Sequence, residues 1–208
     1  WNGTLLNDVD LCFSCINRLL VSHDLKPLDT LSQYREVFTF PIEDYYKRVG
    51  FDFDKIPFSM LAHEYMEDYQ EKSYACDLHS DVLDVVNKAK NLGFSQTVLS
   101  ASKMDYLLKQ METLHVDDLF DSIYGINDIY AKSKVELAHA FKQTCSLDDE
   151  IYFVGDSVHD YEVAKNIGAK CILVTTGHQN RATLESVNVP VMDSLMESLD
   201  LIYERDKD

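Results

Sequence analysis

The sequence predicts an α/β fold: a doubly wound parallel sheet with helices on both faces, and an all-α segment inserted after the first turn. Two observations carry this prediction. From about residue 77 onward, short apolar runs typical of buried strands alternate with stretches of helical periodicity. Between residues 9 and 76, helical stretches follow one another without a convincing strand pattern. We therefore assign residues 1–8 and 77–208 to the α/β core and residues 9–76 to a helical cap.

The segment 9–76 reads as four helices separated by helix-breaking residues. The predicted helices span residues 9–25, 31–38, 42–49 and 58–74. Aromatic residues are dense here, and aromatics at helical spacing pack into a core more often than they bind a ligand. Cys12 and Cys15 form a C-x-x-C pattern, but they fall among apolar residues at helical spacing, which favours packing over redox chemistry.

The elements after residue 77 alternate between helix and strand. Their predicted order is helix 82–92, strand 97–99, helix 102–114, strand 122–124, helix 134–145, strand 151–154, a helix that ends at Gly168, strand 171–174, strand 189–191 and helix 194–203. Ser102 is predicted to cap helix 102–114, with Asp105 three residues further on. In such a sheet, ligands bind beyond the carboxyl ends of the strands.

Composition narrows the classes of partner. The 208 residues carry a formal net charge of −17, so we expect no binding to nucleic acid or to an anionic membrane surface. No apolar run reaches the length of a membrane span. The five cysteines are an odd number and suggest no disulfide framework, which fits a reducing compartment. We expect a cytoplasmic protein that is a monomer or a homodimer.

An acidic turn follows the predicted strand 151–154, with the sequence Gly155-Asp-Ser-Val-His-Asp160. Two carboxylates this close repel each other unless a cation lies between them, and carboxylate oxygens at a strand end suit a hard ion such as Mg2+. The alternative is that Asp156 caps the following helix and Asp160 lies in its first turn, where carboxylates are also favoured. The turn alone supports both interpretations equally.

Polar residues also follow the neighbouring strands. Ser100 comes directly after strand 97–99, and Thr175 with Gly177 follows strand 171–174. Because the carboxyl ends of parallel strands meet at one edge of the sheet, we expect these residues to lie near Asp156. Their convergence favours the metal-site interpretation of the acidic turn.

Four short motifs occur in order on these elements. The first is Trp1-Asn-Gly-Thr-Leu5, and the second is Val98-Leu-Ser100. The third is a lysine near the start of helix 134–145, and the fourth is Gly155-Asp156 followed by Asp160. Each motif is weak alone, but four in this order on the expected elements are specific.

In these motifs the sequence resembles the haloacid dehalogenase superfamily, and within it the small phosphatases with a helical cap that are similar to phosphoglycolate phosphatases. The resemblance implies a Rossmann-like core and covers essentially all residues outside the cap. The superfamily's first motif is a strand that ends in Asp-x-Asp-Gly-Thr-Leu, which aligns its second aspartate with Asn2. Its nucleophilic aspartate would be the residue immediately before Trp1.

The resemblance implies a Mg2+-dependent phosphatase that hydrolyses a small phosphorylated metabolite through an aspartyl-phosphate intermediate. Mg2+ would be held by the main-chain carbonyl of Asn2, by Asp156 and, directly or through water, by Asp160. The residues implied to contact the phosphoryl group are Asn2, Gly3, Ser100, Ala101 and a lysine.

The lysine is either Lys132 or Lys134. Its spacing from Asp156 favours Lys132. Ser133 as an N-cap would instead place Lys134 in the first helical turn, with its side chain leaning toward the start of the helix. We favour Lys134 and keep both as candidates.

Asn2 departs from the superfamily's pattern, because the aspartate expected there acts as general acid and then as general base. An amide has no proton to give at neutral pH, and general acid catalysis contributes about 10²–10⁴ in rate. One consequence would be slow hydrolysis or a preference for leaving groups that need no proton. Another group, such as His63 or His159, would otherwise supply it. The remaining alternatives are phosphotransfer, as in sugar-phosphate mutases, and phosphate binding without hydrolysis.

Overall fold

A computed structural model describes residues 1–127, 134–205 and 207. The helices are α1 (Val9–Ser22), α2 (Leu31–Val37), α3 (Ile42–Arg48), α4 (Phe58–Ser73), α5 (Val82–Asn91), α6 (Met104–Thr113), α7 (Val135–Thr144), α8 (Val158–Asn166), α9 (Arg181–Glu185) and α10 (Leu195–Arg205). The strands are β1 (Thr97–Lys103), β2 (Ser122–Ile126), β3 (Tyr152–Gly155), β4 (Lys170–Val174) and β5 (Val191–Met192). Across these ranges, every helix is too short or too polar to span a bilayer.

Helices α1 to α4 share one apolar cluster, in which α1 packs against α4. Ile16, Leu20 and Leu61 are fully buried there. The aromatic residues between them contact one another ring to ring, as Tyr46 does with Phe51 at 5.4 Å between centroids. The prediction that these aromatics pack is therefore confirmed. The division of the chain into a core and a cap stays a prediction.

The strands pair in parallel throughout. β1 pairs with β2, and β4 lies between β3 and β5. Helices connect successive strands, and buried side chains such as Val163 of α8 and Ile172 of β4 fill the space between the layers. The predicted α/β fold with a parallel sheet is confirmed.

The described strands form two sheets rather than one. A cavity of about 670 Å³ lies between them, lined by residues 97–99 of β1 on one side and residues 151–154 on the other. Trp1, Thr4 and Leu5 also line it. The facing edges of β1 and β3 thus share a gap that leads to the first residues of the chain.

Three local predictions differ from the structure. Ser102 does not cap a helix: β1 continues to Lys103, which pairs with Ile126 of β2, and α6 begins only at Met104. Lys134 occupies the N-cap position of α7 rather than its first turn. The last strand is Val191–Met192 instead of 189–191, and α9 was not predicted. In the first case, strand pairing outweighs the capping preference of serine.

Candidate active site

The carboxyl ends of β1 and β3 open into one cavity of about 190 Å³ beneath α1–α4. Of the residues singled out in the sequence, those that line it are Asn2, Ser100, Ala101, Lys134, Asp156 and Asp160. Gly3 lies directly behind it, against Asp156. Lys132 lies outside the described residues. The convergence expected from the strand ends is observed for these residues and for Gly177, which lies against Asp156. Thr175 does not line the cavity, because its hydroxyl donates to Asp193 instead.

Asp156 is buried at the end of β3, with only 4% of its surface exposed. Its Oδ1 accepts a hydrogen bond from the hydroxyl of Thr4 at 2.7 Å, and its Oδ2 accepts one from the backbone N–H of His178 at 2.9 Å. The N-cap of α8 is Ser157, so the alternative interpretation of Asp156 as a helix cap is wrong, whereas Asp160 does lie in the first turn of α8 and completes its capping box. A buried carboxylate with two donors and remaining lone pairs retains capacity for a cation.

Glycine at position 3 lets the chain approach this carboxylate closely. Gly3 has a φ of +70°, and a Cβ there would lie 2.5 Å from Asp156 Oδ2. A Cβ on Gly177 would meet the same oxygen. Both positions therefore exclude a side chain, because added bulk would push Asp156 out of place. The carbonyl of Gly3 is fixed in turn by the hydroxyl of Thr176 at 3.2 Å.

Asp160 is held by a different set of donors. Its Oδ2 accepts bonds from the backbone N–H groups of Asp156 and Ser157 at 3.0 Å each, and from the Ser157 hydroxyl at 2.7 Å. Its Oδ1 pairs with Nζ of Lys134. Burial acts to raise the pKa of Asp160, but the adjacent lysine charge and the hydrogen bonds lower it below its usual value. Both oxygens are thus engaged, which fits a role in positioning Lys134 more closely than direct contact with a metal.

Both the nitrogen and the oxygen of the Asn2 side-chain amide form hydrogen bonds with neighbouring residues. Its Nδ2 donates to Oδ2 of Asp8 at 2.8 Å and to the hydroxyl of Tyr69 at 2.7 Å. Its Oδ1 accepts from the hydroxyl of Ser102 at 2.6 Å. The backbone N–H of Ser102 donates to Ser100 Oγ at 3.0 Å, so this serine pair joins Asn2 to the phosphate-binding candidate.

Asp8 is a functional candidate that the sequence reasoning missed. It is fully buried at the N-cap position of α1, where it makes no capping bond. Its carboxylate instead accepts from the backbone of Gly3 at 2.9 Å and from Tyr69 at 2.6 Å, and it lies 3.5 Å from Nε2 of His178. A carboxylate directly before a helix was the available signal, and it indicated only a cap.

His178 and Asp8 adjust each other's charge. Burial acts to lower the pKa of His178, but the hydrogen bond and charge of Asp8 raise it above its usual value. Burial acts to raise the pKa of Asp8, but the bond from His178 and the hydroxyl of Tyr69 hold it below its usual value. The other nitrogen of His178 lies 2.8 Å from the hydroxyl of Tyr34, on α2. The pair therefore joins the strand-end residues to the helices above them.

Asp8, Cys12 and His178 are also the group of possible metal ligands found among the described residues, with ligand atoms within 4.8 Å of one another. Their polar atoms already face each other: the thiol of Cys12 lies 3.5 Å from Oδ2 of Asp8. Burial raises the pKa of Cys12 well above its usual value, which opposes the thiolate that a metal requires. We interpret this group as a hydrogen-bonded network. The oxygen donors at Asp156 fit a hard divalent cation better.

The wall of the cavity formed by residues 9–76 is mostly aromatic and aliphatic. Its apolar and aromatic side chains include Phe38 and Phe40 from the connection between α2 and α3, together with Ile42, Tyr45, Tyr46, Phe58, Ala62, Tyr65, Met66 and Tyr69, and its polar ones include Gln70 and Ser73. His63 is exposed on α4 and is not part of this lining. His159 stacks on Phe40 with ring centroids 4.7 Å apart, and burial together with the charge of Lys134 lowers its pKa. The roles of both histidines as substitute acids stay predictions.

Comparison with known proteins identifies the family to which this sequence is similar. The model of the haloacid dehalogenase-like hydrolases matches residues 2–174 of this sequence. No curated protein matched it in a sequence comparison.

Solved structures also resemble nearly the whole chain, and three of them serve as examples. A predicted phosphatase from Clostridium acetobutylicum is 18% identical, covers 98% of this chain and 95% of its own, and has a TM-score of 0.82. Protein Tyrosine Kinase A of Mycobacterium tuberculosis is 19% identical, with coverages of 96% and 94% and a TM-score of 0.79. A predicted phosphoglycolate phosphatase from Haemophilus somnus is 16% identical, with coverages of 97% and 95% and a TM-score of 0.73. At these identities the likeness shows the fold.

Proposed function

We propose that this chain, which belongs to the haloacid dehalogenase-like hydrolase family, is a Mg2+-dependent phosphatase that hydrolyses a small phosphorylated metabolite through an aspartyl-phosphate intermediate. The family match confirms the resemblance noted in the motifs and the prediction of a hydrolase. The observation that carries the proposal is the convergence of Asp156, Lys134 and Ser100 in one buried cavity. An oxygen ligand for a cation, a lysine and a hydroxyl donor are the groups that phosphoryl transfer requires.

Each residue has a distinct task in the proposed reaction. Asp156 and the main-chain carbonyl of Asn2 would hold Mg2+, which would neutralise phosphoryl charge. Lys134 neutralises a phosphoryl oxygen, and Asp160 fixes the position of its Nζ. Ser100 donates a hydrogen bond to another phosphoryl oxygen. Because these groups are already bonded to neighbours, they need little reorganisation when the substrate arrives.

The nucleophile in this proposal is an aspartate joined to the backbone nitrogen of Trp1. Trp1 is itself buried and lines the same cavity as Asp156 and Lys134, which supports a nucleophile beside it.

Helices α1–α4 act as the cap in this proposal and exclude water from the cavity. Two hydrogen bonds support the closed arrangement. The guanidinium Nε of Arg35 donates to the carbonyl of Gly177 at 3.0 Å, and Nε2 of Gln179 donates to the carbonyl of Phe38 at 3.1 Å. Both bonds join the α2 region to the loop after β4, directly behind Asp156.

Phosphotransfer is the second candidate function. Attack by an acceptor hydroxyl needs the same general base as attack by water, and Asn2 does not provide it. One structure of the same fold is named a protein tyrosine kinase. Binding of phosphate without any reaction is the third alternative.

Phosphate release from a panel of phosphomonoesters tests the proposal. We expect release with Mg2+, loss of release with a chelator, and recovery when Mg2+ is added back. Asp156→Asn should reduce the rate by about 10³, since a metal ion supplies several kcal/mol of charge stabilisation. Asp117→Asn, at an exposed carboxylate away from the cavity, is the matched control and should leave the rate unchanged.

The same assay separates the alternatives. A phosphatase releases phosphate over many turnovers. A phosphotransferase releases one equivalent of leaving group and leaves the protein phosphorylated until an acceptor is added. The absence of both events with every ester would contradict an enzymatic function.

A further inference from the structure

The two sides of the cavity are suited to different parts of a ligand. The strand ends supply the polar residues already described, whereas the helices supply mostly aromatic and aliphatic side chains. The cationic side chains of lysine or arginine that line the cavity, among the described residues, are Lys103 and Lys134. Lys103 pairs with Asp105 at 3.0 Å, and Lys134 pairs with Asp160. Both come from the strand side of the cavity, and Lys134 is the residue proposed to contact the phosphoryl group, so the described residues of α1–α4 that line the cavity offer no lysine or arginine to a second anionic group.

The helix region does contain arginines, but they point to other partners. Arg35 binds main-chain carbonyls of the loop after β4, and Arg18 binds Asp68. Arg48 ends α3 and does not line the cavity. Among the described residues, the helix side therefore gives a carboxylate on the leaving group, such as that of glycolate, no lysine or arginine to pair with, and burying an unpaired charge against aromatic rings is costly. An uncharged ring suits the same wall.

Asn2 restricts the leaving group independently. Its amide is fully engaged with Asp8, Tyr69 and Ser102, and it has no acidic proton. Without a proton from another side chain, the leaving oxygen departs as an anion. A phenol, with a pKa of about 10, does this far more readily than an alkyl alcohol, whose acidity is close to that of water at about 15.7.

We propose that the substrates are aryl phosphates: phosphomonoesters whose leaving group is a phenol with an uncharged ring, which lies against the aromatic wall formed by α3 and α4. This inference rests on the proposed phosphatase function and assigns its substrate class. The wall offers ring faces and edges for such contacts, among them the parallel rings of Tyr65 and Tyr69, whose centroids are 5.8 Å apart. A cavity of about 150 Å³ can hold one benzene ring, so about 190 Å³ accommodates a ring with its phosphoryl group entering among the polar residues.

The chemical step balances without an added acid. The carboxylate of the proposed nucleophile forms a bond to phosphorus, and the bond from phosphorus to the aryl oxygen breaks. The electron pair leaves with that oxygen, and the phenolate takes a proton from solvent after it departs. Water then cleaves the acyl phosphate, which yields inorganic phosphate and regenerates the carboxylate.

Three esters of similar size test the substrate class with the full-length protein and Mg2+. Phenyl phosphate combines a ring with an acidic leaving group, cyclohexyl phosphate keeps the apolar bulk with an alkyl leaving group, and 2-phosphoglycolate adds a carboxylate. We expect kcat/KM for phenyl phosphate to exceed both others by at least about 10². Equal or higher kcat/KM for either other ester would overturn the inference while leaving the phosphatase function intact.

Binding of non-hydrolysable phosphonates tests the aromatic wall without any reaction. Benzylphosphonate mimics phenyl phosphate, and 3-phosphonopropionate mimics phosphoglycolate. Calorimetry should show benzylphosphonate binding at least about tenfold more tightly, as expected for one desolvated ring contact. Tighter binding of the carboxylated compound would contradict the inference even if no ester is hydrolysed, so the two proposals can fail separately.

A pair of matched substitutions on α4 localises the effect. Met66 lines the cavity, whereas Met60 on the same helix is 54% exposed and does not. Met66→Arg should weaken benzylphosphonate binding by about tenfold and strengthen 3-phosphonopropionate binding. Met60→Arg should change neither. Equal effects of the two substitutions would show that the wall does not select the leaving group.

Discussion

The two halves of the cavity are stabilised by different means. At the strand ends, charges and hydrogen bonds hold each group: Asp156 accepts from two donors, and Asp160 accepts from three besides its lysine. In α1–α4, the side chains are held in position by the packing of rings and aliphatic groups, among them the fully buried Leu61. The structure of the strand-end half therefore depends on individual charges, and the structure of the helical half depends on how well its side chains fill the available volume.

One ion pair in each half shows the contrast. Lys134 and Asp160 are 10% and 4% exposed, so each carries a charge that water does not screen. Arg18 and Asp68, which join α1 to α4, are 45% and 28% exposed. A buried pair is sensitive to the loss of either partner, while an exposed pair contributes little net stability. The same chemical contact thus has different consequences in the two regions.

Lys134→Met tests the charged half and should have the largest effect. Asp160 would keep a buried carboxylate without its counter-ion, so the free energy of unfolding should fall by about 3–5 kcal/mol. Phosphate release should be lost together with the lysine. Urea unfolding measures the first quantity. Lys90→Met, at an exposed lysine of α5, should stay within about 0.5 kcal/mol. A loss below about 1 kcal/mol for Lys134→Met would mean that the buried pair behaves like a surface pair.

Asn2→Asp tests the link between the halves, because Asn2 touches Ser102 on one side and Tyr69 on the other. A carboxylate here would lie within hydrogen-bond distance of Asp8, since the amide nitrogen is now 2.8 Å from it. Two such carboxyls share a proton, which supplies an acid at neutral pH. The kcat/KM for alkyl phosphates should rise by about 10², and the kcat/KM for activated aryl phosphates by much less, because this constant reports departure of the leaving group and not the later attack by water.

Asn7→Asp is the control for this change. It makes the same substitution five residues further on, at an exposed position, and should leave both rates as they are. A similar gain on alkyl and aryl esters with Asn2→Asp would show that position 2 does not act on the leaving group.

Local sequence spacing was enough to predict which polar residues follow the apolar part of each strand, although β1 itself continues to Lys103. Gly155, Asp156 and Ser100 each follow an apolar run directly, and the geometry of parallel strands brings them together. The neighbours of Asn2 could not be predicted this way, because Asp8 and Tyr69 are 61 residues apart and meet only when α4 folds over the turn. The prediction that Ser102 caps a helix was wrong for a related reason. The capping preference of a serine is local, whereas the extension of β1 through this residue depends on pairing with β2.

Arg18→Met probes the apolar half and should have the smallest effect, below about 1 kcal/mol at pH 7. Burial acts to raise the pKa of Asp68, but bonds from Lys72 and Arg18 lower it. A lowered pKa means that the pair stabilises the fold above about pH 4, the usual value for an aspartate, and that this contribution is lost as pH falls through the lowered value. Urea unfolding of the wild-type protein and of Arg18→Met between pH 7 and pH 3 measures this contribution.

Leu61→Ala on α4 should lower the free energy of unfolding by about 2–5 kcal/mol at every pH. A smaller loss there than for Arg18→Met would mean that charge, rather than packing, holds these helices together.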